Sequence, residues 1–158
     1  MKLIFLTFLC IIIFSCNKEE PIQLDKSKIA IIPTEGKSFK PTDNELLLVE
    51  QLVNKRLSIY NEEQKAFNED AEYVFGDSLH YESEIIEFEK YYRQCEAFYN
   101  DKGEKIITLN CLCDINPKFF PNWRKSIIKV NDGGSCFFQI AVNLDLKIVY
   151  GFTINGTA

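Results

Sequence analysis

Leu46, Val49, Val53, Leu57 and Tyr60 recur at three- and four-residue spacing, and Leu52 and Ile59 widen the same stripe. That period predicts one amphipathic helix with an apolar face turned to a core. Just upstream, Thr42-Asp43-Asn44-Glu45 has the form of a capping box. The Thr42 hydroxyl is placed to accept from the Glu45 amide while the Glu45 carboxylate returns to Thr42, and the two acids suit the positive end of the helix dipole. The stripe predicts that the helix ends between Asn61 and Asn68.

Elsewhere the period is two. Residues 91–99 and 104–113 read as strands joined by Asn100-Asp101-Lys102-Gly103, a turn with Gly where a positive φ is wanted. On the second strand Ile107, Leu109, Cys111 and Cys113 share a face, and Cys136 is expected on the core face of its own strand. Residues 126–130 read as a short strand, followed by a hairpin turn at Asn131-Asp132-Gly133-Gly134. Residues 136–144 then alternate cleanly, and Ile148, Tyr150, Phe152 and Ile154 mark a last strand. Before the helix, residues 28–33 are short, apolar and stopped by Pro33, as an edge strand would be. Residues 69–89 show no clear period; their acids lack the ladder of a calcium loop, and Ile85, Ile86 and Phe88 predict a helical turn or the start of a strand. The expected fold is α+β: one long helix on a curved antiparallel sheet of about five strands. In element order it resembles the cystatin-like and NTF2-like plan.

The N-terminal segment supplies an address. Lys2 precedes a run from Leu3 to Phe14 that only Thr7 interrupts. About a dozen helical residues reach roughly 18 Å, short of a bilayer core of about 30 Å, so the run predicts a secretory signal. Ile13-Phe14-Ser15-Cys16 resembles the lipobox of bacterial lipoproteins. The resemblance implies cleavage before Cys16, a diacylglycerol thioether on its sulfur and an acylated amino group. It divides the chain into a signal peptide (1–15), a lipidated tether (16–27) and a single domain (28–158). Two or three acyl chains would make a lasting membrane anchor. Asn17-Lys18-Glu19-Glu20 resembles a surface-export signal of one Gram-negative lineage, which implies an outer-membrane, surface-exposed location.

The chain has 158 residues and a formal charge of −5, and no basic patch with interleaved aromatics is expected, which argues against a nucleic-acid partner. His80 is the single histidine, and no nucleophile elbow, zinc-protease helix motif or phosphate-cradling glycine loop occurs. No pair of acids stands out as a catalytic pair, so no catalytic residue, metal or cofactor is expected. Outside the signal peptide and Cys16, four cysteines remain: Cys95, Cys111, Cys113 and Cys136. In an oxidising compartment they are candidates for a disulfide joining Cys136 or Cys95 to one member of the Cys111/Cys113 pair. The alternatives are buried free thiols packed as small apolar groups, or a zinc site lacking the usual knuckle spacing.

Phe119-Phe120-Pro121-Asn122-Trp123-Arg124 is the candidate contact loop, because aromatics and Arg dominate interaction hot spots. The competing expectation is that Trp123 and one Phe tuck under the sheet. Asp77-Ser78-Leu79 resembles a short bacterial O-glycosylation acceptor centred on Ser78; Asn155-Gly156-Thr157 matches an N-glycan sequon without meaning in that setting. The segments Asn100-Asp101-Lys102-Gly103-Glu104-Lys105, Asn110-Cys111-Leu112-Cys113, Asn131-Asp132-Gly133-Gly134 and 149–158 resemble a family of small Gram-negative lipoproteins that carries no assigned activity. The expected function is a lipid-anchored, non-catalytic binding domain for a protein, peptide or glycan. Two rivals stand beside it: an inhibitor or immunity protein neutralising a toxin or hydrolase, and a small carboxylate-dependent hydrolase.

Overall fold

A computed structural model of the protein describes residues 23–75 and 85–156. Cys16, Ser78 and His80 lie outside the described residues. Within them the order is β1 (Ile29–Ile31), α1 (Asp43–Phe75), β2 (Tyr92–Tyr99), β3 (Lys105–Leu112), β4 (Phe137–Asn143) and β5 (Ile148–Ile154). The strands form one sheet in the order β1-β2-β3-β4-β5, with β1 parallel to β2 and every other pairing antiparallel. This is the α+β fold expected from the sequence, one helix on a mostly antiparallel sheet.

The predicted cap forms as drawn. Glu45 N–H donates to Thr42 Oγ1 at 3.3 Å, and Thr42 N–H returns a bond to Glu45 Oε2 at 2.8 Å. Lys105 Nζ on β3 adds a 2.6 Å ion pair to the other Glu45 oxygen, so the cap also ties the helix start to the sheet. Leu46, Val49, Val53, Leu57 and Tyr60 are all buried, against Cys95 and Ala97 of β2, Ile107, Leu109 and Cys111 of β3, and Phe138, Ile140 and Val142 of β4. Leu52 packs half-buried at the margin of that cluster, whereas Ile59, expected to widen the stripe, is 46% exposed.

Four further expectations are corrected. The helix runs on to Phe75, beyond the predicted end at 61–68. A helix of 33 residues spans about 50 Å, whereas an eight-residue strand covers about 26 Å, so the last turns outrun the sheet. Residues 61–75 continue the helix past Tyr60, the last residue of the predicted stripe, because they are rich in Glu, Gln, Lys and Ala and contain neither Gly nor Pro.

Residues 126–130 are not a strand. The Ser126 carbonyl and both backbone groups of Ile128 bond the Gln94 and Asn110 side chains, and Ser126 N–H turns back to the Asn122 carbonyl, so no neighbouring strand is paired and the fifth strand is β1. For the same reason Asn131-Asp132-Gly133-Gly134 does not join two strands. It bends the chain into a 3₁₀ turn at Gly134–Cys136, with Gly133 at φ 90° and a Cβ there destined to meet Phe137 Cδ2 at 2.7 Å. Finally, Cys113 and Cys136 are not on the core face: Cys113 lies just past β3 and is exposed, and Cys136 closes the 3₁₀ turn before β4. Phe88–Lys90 is a 3₁₀ turn, the helical alternative expected around Phe88.

Candidate functional site

The helix covers one face of the sheet. Part of the other face is covered by residues 114–135, a long loop closed by a Cys113–Cys136 disulfide with its Cα atoms 4.9 Å apart. The bond joins two of the four candidate cysteines. Cys95 and Cys111 are free and buried in the helix-facing core. Burial pushes the Cys95 thiol up to about 12, with Glu96 adding to the rise, and pushes Cys111 well above the ordinary thiol value. Both are protonated at neutral pH and pack as small apolar groups, not as nucleophiles.

The loop is fastened from below by a polar pair that the sequence reading passed over. Gln94 of β2 is fully buried, on the strand face opposite Arg93 and Cys95. Its Nε2 donates to the carbonyls of Trp123 and, at 2.7 Å, of Ser126; its Oε1 accepts from Ile128 N–H at 2.8 Å. Asn110 of β3, directly opposite Gln94, donates to Gln94 Oε1 at 2.8 Å and to the Ile128 carbonyl at 2.9 Å. Two amides thus supply the bonds that a paired strand would have supplied, which is why 126–130 looks strand-like and is not one. At the far end Tyr91 Oη donates to the Ser135 carbonyl at 2.9 Å.

The four contact-loop residues divide between packing and display. Trp123 is half-buried, edge-on to Tyr92 at 5.4 Å, and Phe120 is half-buried with its ring 6.4 Å from Phe137. Arg124 lies over the Trp123 ring at 4.2 Å and donates from Nη1 to the Ile29 carbonyl at 2.9 Å and from Nη2 to the Ser27 carbonyl. It therefore staples the loop to the strand where the N-terminal segment joins the domain. Phe119 alone of the aromatics is displayed, 67% exposed, with Lys118 Nζ 5.6 Å from its ring centre. Trp123 and Phe120 pack as the tucked-under alternative expects, and Phe119 is left exposed.

Charge sharpens that surface. The loop carries Lys118, Arg124, Lys125 and Lys129 against Asp114 and Asp132, a net +2 in a chain of net −5. Lys118, Lys125 and Lys129 are exposed, and among the described residues none of them makes an ion pair. This corrects the expectation of no basic patch with interleaved aromatics: the whole-chain balance hides a local mixture of the two on this loop.

The one buried acid among the described residues, Glu50 of α1, faces Arg93 of β2, with Arg93 Nε 3.4 Å from Glu50 Oε1. Burial pushes the Glu50 carboxyl up and Arg93 pulls it back down. Arg93 also donates to the Phe88 carbonyl at 3.2 Å and sits 4.9 Å from the Phe88 ring centre. A signal for Glu50 was present: it falls four residues after Leu46 and three before Val53, on the apolar stripe itself. Among the described residues no group of three or more His, Cys, Asp or Glu is placed to hold a metal, and no helix is long and apolar enough to cross a membrane. A concavity of about 800 Å³ at the β2–β3 hairpin is lined by Lys37, Tyr99 and the turn residues 100–103, and is open to solvent.

Comparison with protein-family models, with characterised proteins and with solved structures found no match.

Proposed function

We propose that the protein is a lipid-anchored envelope protein whose folded domain is a non-catalytic binding module, with the Cys113–Cys136 loop as its contact surface. The observation that carries the reading is the loop itself. A disulfide, the Gln94–Asn110 pair and the Arg124 staple fix its backbone, while Phe119 and three lysines stay exposed on it. A rigid scaffold presenting an aromatic among cations limits the ordering cost of contact, as binding loops do. The non-catalytic reading is supported by the chemistry of the interior. The buried acid is committed to a structural arginine, and the free thiols are held protonated.

The anchor rests on the resemblance of Ile13-Phe14-Ser15-Cys16 to a lipobox. The location that follows is the bacterial outer membrane, exposed at the surface through Lys18-Glu19-Glu20. Metabolic palmitate labelling tests the anchor: label on wild type and none on Cys16→Ser is expected, and equal label on both contradicts it. A crosslinked pull-down from the native envelope tests the surface. Phe119→Asp is expected to lose the crosslinked species, lipid or protein, that wild type forms through the loop, and an unchanged set of loop crosslinks contradicts the loop assignment.

A further inference from the structure

We propose that the occupant of this surface is the anionic lipid face of the bilayer itself. Lys118, Lys125 and Lys129 would meet lipid phosphates and Phe119 would enter the headgroup layer. The inference rests on the reading of Cys16 as the anchor and of the loop as the contact surface, and it names the partner.

Placement carries the argument first. Arg124 bonds the carbonyls of Ser27 and Ile29, so the loop lies where the N-terminal segment joins the domain. Cys16 and Ser27 are eleven residues apart, a step of at most about 40 Å when fully extended. A domain held on that leash meets the membrane with the side nearest the leash, and the Arg124 end of the loop is on that side. Screening confines the attraction to about 8 Å from the charged surface, a gap the leash is short enough to close repeatedly.

Chemistry carries it second. The displayed side chains are three lysines without ion pairs among the described residues and one phenylalanine at 67% exposure. Cations that meet phosphates beside an aromatic that sits in the interface are what a peripheral membrane contact uses. Within the loop the acids, Asp114 and Asp132, lie at its two ends rather than among the lysines, and the acid beside the Arg124 staple is Asp25, which accepts from Ser27. Docking would set the orientation of the domain on the membrane, leaving the overhanging end of α1 and the open edge of β5 free to face other partners.

The sole tryptophan, Trp123, reports on the loop from within it. The full acylated chain is reconstituted into vesicles of brominated phosphatidylcholine, alone or mixed with phosphatidylglycerol, and quenching of Trp123 is read. Quenching is expected to depend on phosphatidylglycerol and to disappear at high salt. The variant Lys118→Glu/Lys125→Glu/Lys129→Glu should lower the phosphatidylglycerol-dependent part by about tenfold or more. The milder Lys→Gln variant of the same three positions should fall between, with an unchanged melting curve as the check that both fold. Equal quenching in the two vesicles, or no change in the charge-reversed variant, overturns the proposal. So does retention on a polyanionic glycan column without any response to anionic lipid. The acyl mass on the Cys16 peptide is read from the same preparation. Acyl mass without anionic-lipid dependence sinks the docking alone; anionic-lipid dependence without acyl mass sinks the anchor alone.

Discussion

Glu50 and Arg93 face each other across the helix–sheet interface, with Arg93 Nε 3.4 Å from Glu50 Oε1 and side chains only 9% and 3% exposed. The ion pair sits inside an apolar layer, so each partner depends on the other. Arg93→Leu leaves a buried carboxylate without its cation and should cost about 3–5 kcal/mol in urea unfolding at neutral pH. The pH dependence has a definite sign. Burial raises the folded Glu50 pKa above its ordinary 4.5, so its favourable contribution is complete below 4.5 and is lost as the pH rises through the folded value. Wild type should therefore lose stability relative to Glu50→Gln as the pH climbs from 4 toward neutrality. A difference that stays flat would show that burial does not dominate at this carboxyl.

Glu45 behaves in the opposite direction. The Lys105 ammonium and the Thr42 N–H hold its carboxyl below the ordinary 4.5. Its contribution is complete above 4.5 and is lost as the pH falls through the lowered folded value. Thr42→Ala should cost about 1 kcal/mol, since it removes the hydroxyl that accepts from the Glu45 amide. Lys105→Met should leave a smaller acid-side loss than wild type shows. Chemical denaturation between pH 3 and 6 reads both effects.

Gln94 decides whether the loop stays down. Gln94→Ala strips the bonds to Trp123, Ser126 and Ile128, each orphaned group costing about 1–3 kcal/mol where it stays buried. Trypsin should then cut at Lys118, Arg124, Lys125 or Lys129 faster than it cuts the fastened wild-type loop. The fragments should remain joined until reduction, because the cut falls between Cys113 and Cys136. Equal cutting rates in the two proteins would contradict the fastening role.

Thiol chemistry separates the cysteine pairs. Alkylation of native protein should leave Cys95 and Cys111 unmodified, and unfolding without reductant should expose just those two of the four. Replacing both Cys113 and Cys136 with Ser should cost about 2–4 kcal/mol. Mass spectrometry of alkylated peptides reads the first, and denaturation the second. Labelling of Cys113 without reduction would break the assignment.

What the sequence disclosed depended on which interactions were local. The Thr42–Glu45 cap, the stripe positions Leu46, Val49, Val53, Leu57 and Tyr60 and the Asn100–Gly103 turn are decided within a few residues, and each is found as expected; Ile59, at the margin of the stripe, is exposed instead. The reach of α1 past Asn68 was missed because the expectation followed the core stripe, and helix propensity continues where the stripe stops. The parallel pairing of β1 was hidden by the long helix between it and β2. Residues 126–130 carry the β-branched composition of a strand, but their partners are the Gln94 and Asn110 side chains, a relation made only by folding. The candidate loop was legible in Phe119, Phe120, Trp123 and Arg124. Its division into one displayed ring, two packed rings and a staple was not, because it depends on Tyr92, Phe137 and the Ser27 and Ile29 carbonyls.

The central claim is that the disulfide-closed loop is the face the protein uses for contact. A photo-crosslinking residue placed at Phe119, and separately at Ile59 on the exposed flank of α1, tests it in intact cells. Irradiation should give a discrete adduct from position 119, lipid by the docking inference, and little from position 59. An adduct from position 59 with none from position 119 would contradict the account.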